Sequence, residues 1–154
     1  MFNVVVLAVG KVKEKYYQEA IKEYLKRLKP FARVVVEEVE AEGFFENNLV
    51  KAQRDEAGKV LSRLEKYSEA DIYFLDEKGV EFDSRGFAGL LEKNVGRQIV
   101  FVVGGTAGWD EDIKKKKNKL SLSSLTFPHE LARLVLVEQV YRGITILKGK
   151  KYHY

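Results

Sequence analysis

The chain has 154 residues, 45% of them hydrophobic, enough for one ordinary core and too few for a second domain. It has no cysteine and only two histidines, which excludes disulfides and thiolate metal sites and leaves a hydrolytic triad or zinc centre almost without parts. A formal charge of +4 mildly favours a polyanionic partner.

Phe2 to Val9 is a nearly continuous apolar run closed by Gly10, the pattern of a strand buried on both faces of a parallel sheet. It has neither a preceding basic stretch nor a cleavage-like tripeptide, and no run reaches membrane-spanning length, so a cytoplasmic location is expected. Helical spacing follows over Tyr16 to Lys29, ended by Pro30. Arg33 to Val39 predicts a second strand, and Leu49 to Tyr67 a second helix. Ile72 to Leu75 is a third strand, with Leu75-Asp76 at its carboxyl end. Ser84 is placed to cap a helix reaching about Lys93, and Ile99 to Val103 is a fourth strand. Asp110 to Lys117 suits a short polar helix, acidic first and basic last. A small strand or loop comes next, and then a long helix over Glu130 to Leu147 behind Pro128. Strictly alternating strands and helices predict an α/β fold with a parallel sheet.

The last helix is apolar nearly all round, from Leu131 through Val140 to Leu147. Such a helix is buried on several sides, either wholly within the core or partly against a second copy of the chain.

Neither a Walker phosphate loop nor the dinucleotide fingerprint Gly-x-Gly-x-x-Gly occurs, which removes the main support for kinase and dehydrogenase readings. Gly104-Gly105-Thr106-Ala107-Gly108 follows the fourth strand at the sheet edge where open α/β folds bind ligands. It is either a close-approach loop for a ligand, which a bulky residue at Gly105 would block, or an ordinary tight turn. Ser121 to His129 alternates small hydroxyls with Leu122, Leu125 and Phe127. That is either a pocket loop walling a flat heterocycle or a strand ending in a helix cap. Leu75-Asp76 brings a third segment to the same edge, and the convergence argues for a site more strongly than any one segment.

Together with Ala8-Val9-Gly10-Lys11, Glu138-Gln139-Val140-Tyr141-Arg142 and the terminal Tyr152-His153, these segments resemble the RlmH family of ribosomal RNA pseudouridine methyltransferases, end to end. The resemblance implies a SPOUT-class α/β fold with a trefoil knot near the carboxyl end. It implies S-adenosyl-L-methionine held by Leu75, Gly104, Gly105, Leu122, Ser123, Ser124, Leu125, Thr126 and Phe127. It also implies methylation of N3 of a pseudouridine in large-subunit ribosomal RNA. A homodimer is expected from the all-round apolar helix over Glu130 to Leu147 in a domain too small to grip a structured RNA alone, and no membrane partner from the lack of a span-length run. The chain departs from the family at Thr106 and Ala107, where Gly-Gly-Pro is usual, and at Tyr154, where an arginine often stands.

The residues expected to serve the chemistry are His129, Arg142, Tyr152 and His153. His129 is a proton acceptor or a structural first-turn residue. Arg142 pairs with Glu138 one turn away or meets RNA. Tyr152 and His153, among Lys148, Lys150 and Lys151, form a basic aromatic tail for RNA or a frayed end. The alternatives in function are a SPOUT methyltransferase of transfer RNA and a non-catalytic nucleotide-binding module.

Overall fold

The computed structural model describes residues 1–154. Five parallel strands lie in the order β2-β1-β4-β3-β5: β1 Phe2–Val9, β2 Ala32–Val39, β3 Asp71–Glu81, β4 Gln98–Val103 and β5 Lys119–Ser121. The helices are α1 Lys15–Leu28, α2 Leu49–Leu64, α3 Ser84–Lys93, α4 Glu111–Lys114 and α5 His129–Leu147.

Alternate side chains of β1 enter two cores. Val4, Val6 and Ala8 meet α1, α3 and α5, whereas Val5, Leu7 and Val9 meet α2 and α4. Val4 to Val9 are all buried, so both faces of this strand are covered, and burial of each valine contributes about 1.5 kcal/mol or more. Crossovers toward the β2 edge use α1 and α3 on one face; those toward the β5 edge use α2 and α4 on the other. All four therefore share one hand, as parallel crossovers require.

Several sequence-based boundaries move. The third strand does not end at Leu75-Asp76: it bulges there and rejoins, with Leu75 and Val80 both registered on Leu120. Asp83, not Ser84, caps α3 by accepting the Gly86 N–H, and Ser84 Oγ instead donates to Gln139. The second helix stops at Leu64 and tightens into a 3₁₀ turn over Glu65–Tyr67. The polar helix is a single turn, Glu111–Lys114, capped by Asp110.

Helix α5 packs along both α1 and α3. Leu136, Val137, Val140 and Ile144 are buried, but Leu131, Val135, Glu138, Arg142 and Ile146, spaced three or four apart on one face, are only half-buried. The start of α5 also organises a distant loop. Glu130 Oε1 accepts the N–H groups of Lys13 and Glu14, holding the chain that leads into α1. Arg133, 4% exposed, donates to Gly10 O at 3.0 Å and Glu38 Oε2 at 2.5 Å.

This ion pair is asymmetric, because Glu38 still reaches water while Arg133 does not. Glu38→Gln strands a buried guanidinium and should cost about 3 kcal/mol, whereas Arg133→Met should cost about 1 kcal/mol or less. Urea unfolding of the two variants checks the order, and the reverse order would refute the account.

Candidate functional site

The bulge of β3 and the carboxyl ends of β4 and β5 open into a cavity of about 480 Å³, within the size range of small-ligand sites. Its lining includes Leu75, Gly104, Gly105, Leu122, Ser123, Leu125, Thr126 and Phe127, so the three separate segments share one cavity. Ser124 alone of the expected set faces away, donating to Glu81 Oε1 at 2.6 Å.

The hydroxyls of this loop serve its own anchoring. Thr126 Oγ1 donates to Glu77, Ser121 Oγ is placed to donate to Glu77 O and Ser123 O, and Ser123 Oγ accepts the Leu125 N–H. Backbone groups and apolar side chains remain to meet a ligand. Leu125 is 72% exposed at the mouth, unusual for a leucine in a loop so firmly tied.

Of the three loop glycines only Gly108 needs its freedom to turn, at φ +78°. Gly104 and Gly105 are required by close approach. A Cβ on Gly104 would sit 3.1 Å from the Trp109 ring, and one on Gly105 would sit 2.9 Å from Val9 Cγ1. Trp109 is the main site residue that the sequence pattern does not disclose. Its Nε1–H donates to Leu75 O at 2.8 Å and its ring meets Phe74 edge-on, pinning the end of regular β3 pairing to the glycine loop. A lone tryptophan after a glycine carries no periodic signal.

His129 lines the cavity from the first turn of α5, with Nδ1 3.2 Å from Thr106 Oγ1. Arg142, Tyr152 and His153 stand elsewhere. Thirteen residues of helix separate His129 from Arg142, about 20 Å at the helical rise, so one chain does not gather the four residues.

At the far end of α5, Arg142 makes its expected bond to Glu138, Nη2 to Oε1 at 2.6 Å, and its Nη1 lies 3.1 Å from His153 Nδ1. Tyr152 Oη donates to Glu138 Oε1 at 3.0 Å and lies 2.9 Å from Tyr24 Oη. Its ring packs edge-on against Tyr141, centroids 4.8 Å apart, beneath the Arg142 guanidinium. Burial and these anionic and phenolic neighbours push the Tyr152 hydroxyl well above its ordinary pKa, so it stays protonated. The tail is stitched to the fold through Tyr152 and His153; only Lys151 and Tyr154 beside them are exposed.

The family model described as "Predicted SPOUT methyltransferase" matches residues 2–153. Ribosomal RNA large subunit methyltransferase H of Caldicellulosiruptor saccharolyticus is 42% identical, over 96% of this chain and 97% of that protein. The proteins of the same name from Carboxydothermus hydrogenoformans and Natranaerobius thermophilus are 39% and 40% identical, covering 98% and 97% of this chain and 99% and 98% of theirs. Among solved structures, a probable methylase family protein from Haemophilus influenzae superposes with a TM-score of 0.55 at 10% identity, over 97% of this chain and 68% of that one, a likeness of fold. Matched from Phe2 to His153 by the family model and across nearly its whole length by these relatives, the chain belongs to the SPOUT methyltransferase family.

Proposed function

We propose that the chain methylates N3 of a pseudouridine in large-subunit ribosomal RNA, using S-adenosyl-L-methionine, as a cytoplasmic homodimer whose carboxyl-terminal segment is threaded as a trefoil knot. The observation that carries this reading is the convergence of Leu75, Gly104, Gly105 and Leu122–Phe127 on one cavity in a chain so similar to ribosomal RNA methyltransferases. The residues present suit the cofactor. Leu75, Leu122 and Phe127 offer apolar walls to a flat heterocycle, and the Gly104-Gly105 turn lets it approach the main chain.

When bound there, the cofactor supplies an electrophilic methyl group. His129 Nε2 is the group at the cavity wall placed to take the proton that N3 would shed on methylation. In the tautomer that carries Nδ1–H, the 3.2 Å contact with Thr106 Oγ1 orients the imidazole and leaves Nε2 as the acceptor.

The half-exposed face of α5 and the distance between its two ends favour a dimer in which the Arg142-Tyr152-His153 cluster of one subunit completes the other's cavity.

Labelled methyl transfer to ribosomes, followed by mapping of the modified nucleotide, tests the reading. Label in N3-methylpseudouridine is the expected result. Label in transfer RNA instead would establish the rival enzyme, and cofactor binding without transfer would establish a sensor. Light scattering should give twice the chain mass at micromolar concentration; a monomer would refute the dimer.

A further inference from the structure

Helix α1 carries a stripe of cations that nothing in the chain neutralises. Lys15, Lys22, Lys26 and, at the C-terminal cap, Lys29 stand seven, four and three residues apart, so their side chains leave the helix within about 60° of one another. All four are exposed, on the side turned away from the buried Ile21 and Leu28, and they line up over about 21 Å at the helical rise.

The usual reasons for surface lysines do not account for them. Cations at a helix C-terminus answer its dipole, which explains Lys26 and Lys29 but not Lys15, which opens a first turn without a single acid. Pairing does not explain them either. On α2 and the turn after it, Lys51, Lys59, Arg63 and Lys66 each meet a carboxylate. On α1 the one ion pair joins Arg27 to Glu23, off the stripe, and Glu19 is the single carboxylate beside the four lysines.

The stripe also has a definite place. Lys13 and Glu14, just before α1, are held by Glu130, the neighbour of His129 at the cofactor cavity, and Tyr24 Oη lies 2.9 Å from Tyr152 Oη in the tail. Arg27 covers the rings of Tyr24 and Tyr141 there, and Lys148, Lys150 and Lys151 stand exposed. Helix α1 thus runs alongside α5 from the cavity to the tail, and the stripe spans the distance between the two.

Taking RNA as the substrate from the functional reading above, we infer that the α1 stripe binds the backbone of the ribosomal RNA strand next to the modified nucleotide. Ammonium groups on flexible four-carbon stems follow a line of phosphates without reading its sequence. They position the strand, while the cavity and the tail act on the base. Phospholipid headgroups would attract the same cations, but a helix lying on a membrane flanks its cations with apolar side chains, and Gln18, Glu19 and Glu23 beside this stripe are polar and exposed.

The test removes three charges from the stripe, by Lys22→Gln, Lys26→Gln and Lys29→Gln together, and three from elsewhere in a control, by Lys51→Gln, Lys66→Gln and Lys93→Gln. Both variants have the same net charge. Binding to purified ribosomes is followed by sedimentation as potassium chloride is raised at constant magnesium. The stripe variant should lose about two units from the slope of log affinity against log salt and about tenfold or more in affinity at low salt, whereas the control slope should fall by about half a unit or less. Cofactor affinity by calorimetry, mass by light scattering and melting temperature should match the parent in both. An unchanged slope in the stripe variant, or equal losses in the two variants, overturns the inference. A stripe variant that turns monomeric would assign the stripe to the subunit interface, and one that loses binding to phosphatidylserine vesicles but not to ribosomes would assign it to a membrane; either result overturns the inference as well.

Methyl transfer separates this inference from the functional reading. With both in place, the stripe variant should show a raised KM for ribosomes and an unchanged kcat, since the lysines hold the strand and take no part in the reaction. Stripe-dependent binding to ribosomes without methyl transfer would uphold the stripe and refute the reaction. Methyl transfer with an unaltered KM in the stripe variant would do the reverse.

Discussion

Deleting Lys151 to Tyr154 should abolish methyl transfer to ribosomes while cofactor affinity changes by about twofold or less, since the cavity lining runs from Leu75 to Ala132 and includes no residue of the tail. The deletion removes His153 and the Tyr152 ring and hydroxyl. It leaves the Arg142–Glu138 pair standing but without two of its partners. Loss of the Tyr141–Tyr152 contact and the Tyr152 hydrogen bonds should cost about 1 to 3 kcal/mol, a lowered melting temperature but a folded protein. His153→Ala is the cleaner variant, because the Tyr152 stitch survives it. Full methylation by both variants would leave the tail a purely structural element, and loss of cofactor binding in both would contradict the separation of the two sites.

Gly105→Val should lower cofactor affinity more than tenfold, by a route the sequence alone does not suggest. The added Cβ points at Val9, 2.9 Å from Cγ1 and 3.5 Å from the backbone oxygen, and not into the cofactor cavity. The variant acts by pushing the glycine loop off the end of β1, so that wall of the cavity moves. Overpacking of this kind costs about 1 to 3 kcal/mol of stability, and Gly105→Ala should fall between the parent and the valine variant in both properties. Calorimetry showing the valine variant binding as tightly as the parent would refute the placement of the cofactor.

The two variants also test each other. In a randomised mixture of Gly105→Val and tail-deleted chains, about half the dimers are mixed, and each mixed dimer has one intact cavity facing one intact tail. About a quarter of native activity should return from two inactive proteins. No recovery would mean that each subunit uses its own tail.

Much of this was legible in local pattern. The apolar runs of β1 and β4 announce strands covered on both faces, Pro30 follows the end of α1 closely, and alternation of strand and helix determines the parallel α/β class. Two of the three cavity segments were readable because loops beyond strand ends in such sheets share one edge, Leu75 reaching that edge through the bulge of β3, and the Glu138–Arg142 pair because four residues make one helical turn.

Tertiary structure decided whatever depends on partners far apart in the chain. The place of the three-residue β5 beside β3, and the bulge at Asp76 that lets β3 rejoin it, come from pairing and not from period. Trp109 reaches Leu75 across 34 residues and Glu130 reaches Lys13 across 117, neither carrying a local signal. Glu56 reads in sequence as one more charge on a polar helix; only the loop folded over it makes it a buried carboxylate with a free oxygen. The separation of His129 from His153 was likewise implicit in the length of α5. Its consequence appeared only when the tail was seen held at the far end by Tyr24, Glu138 and Arg142, because sequence order places residues along a chain while contacts place them around a site.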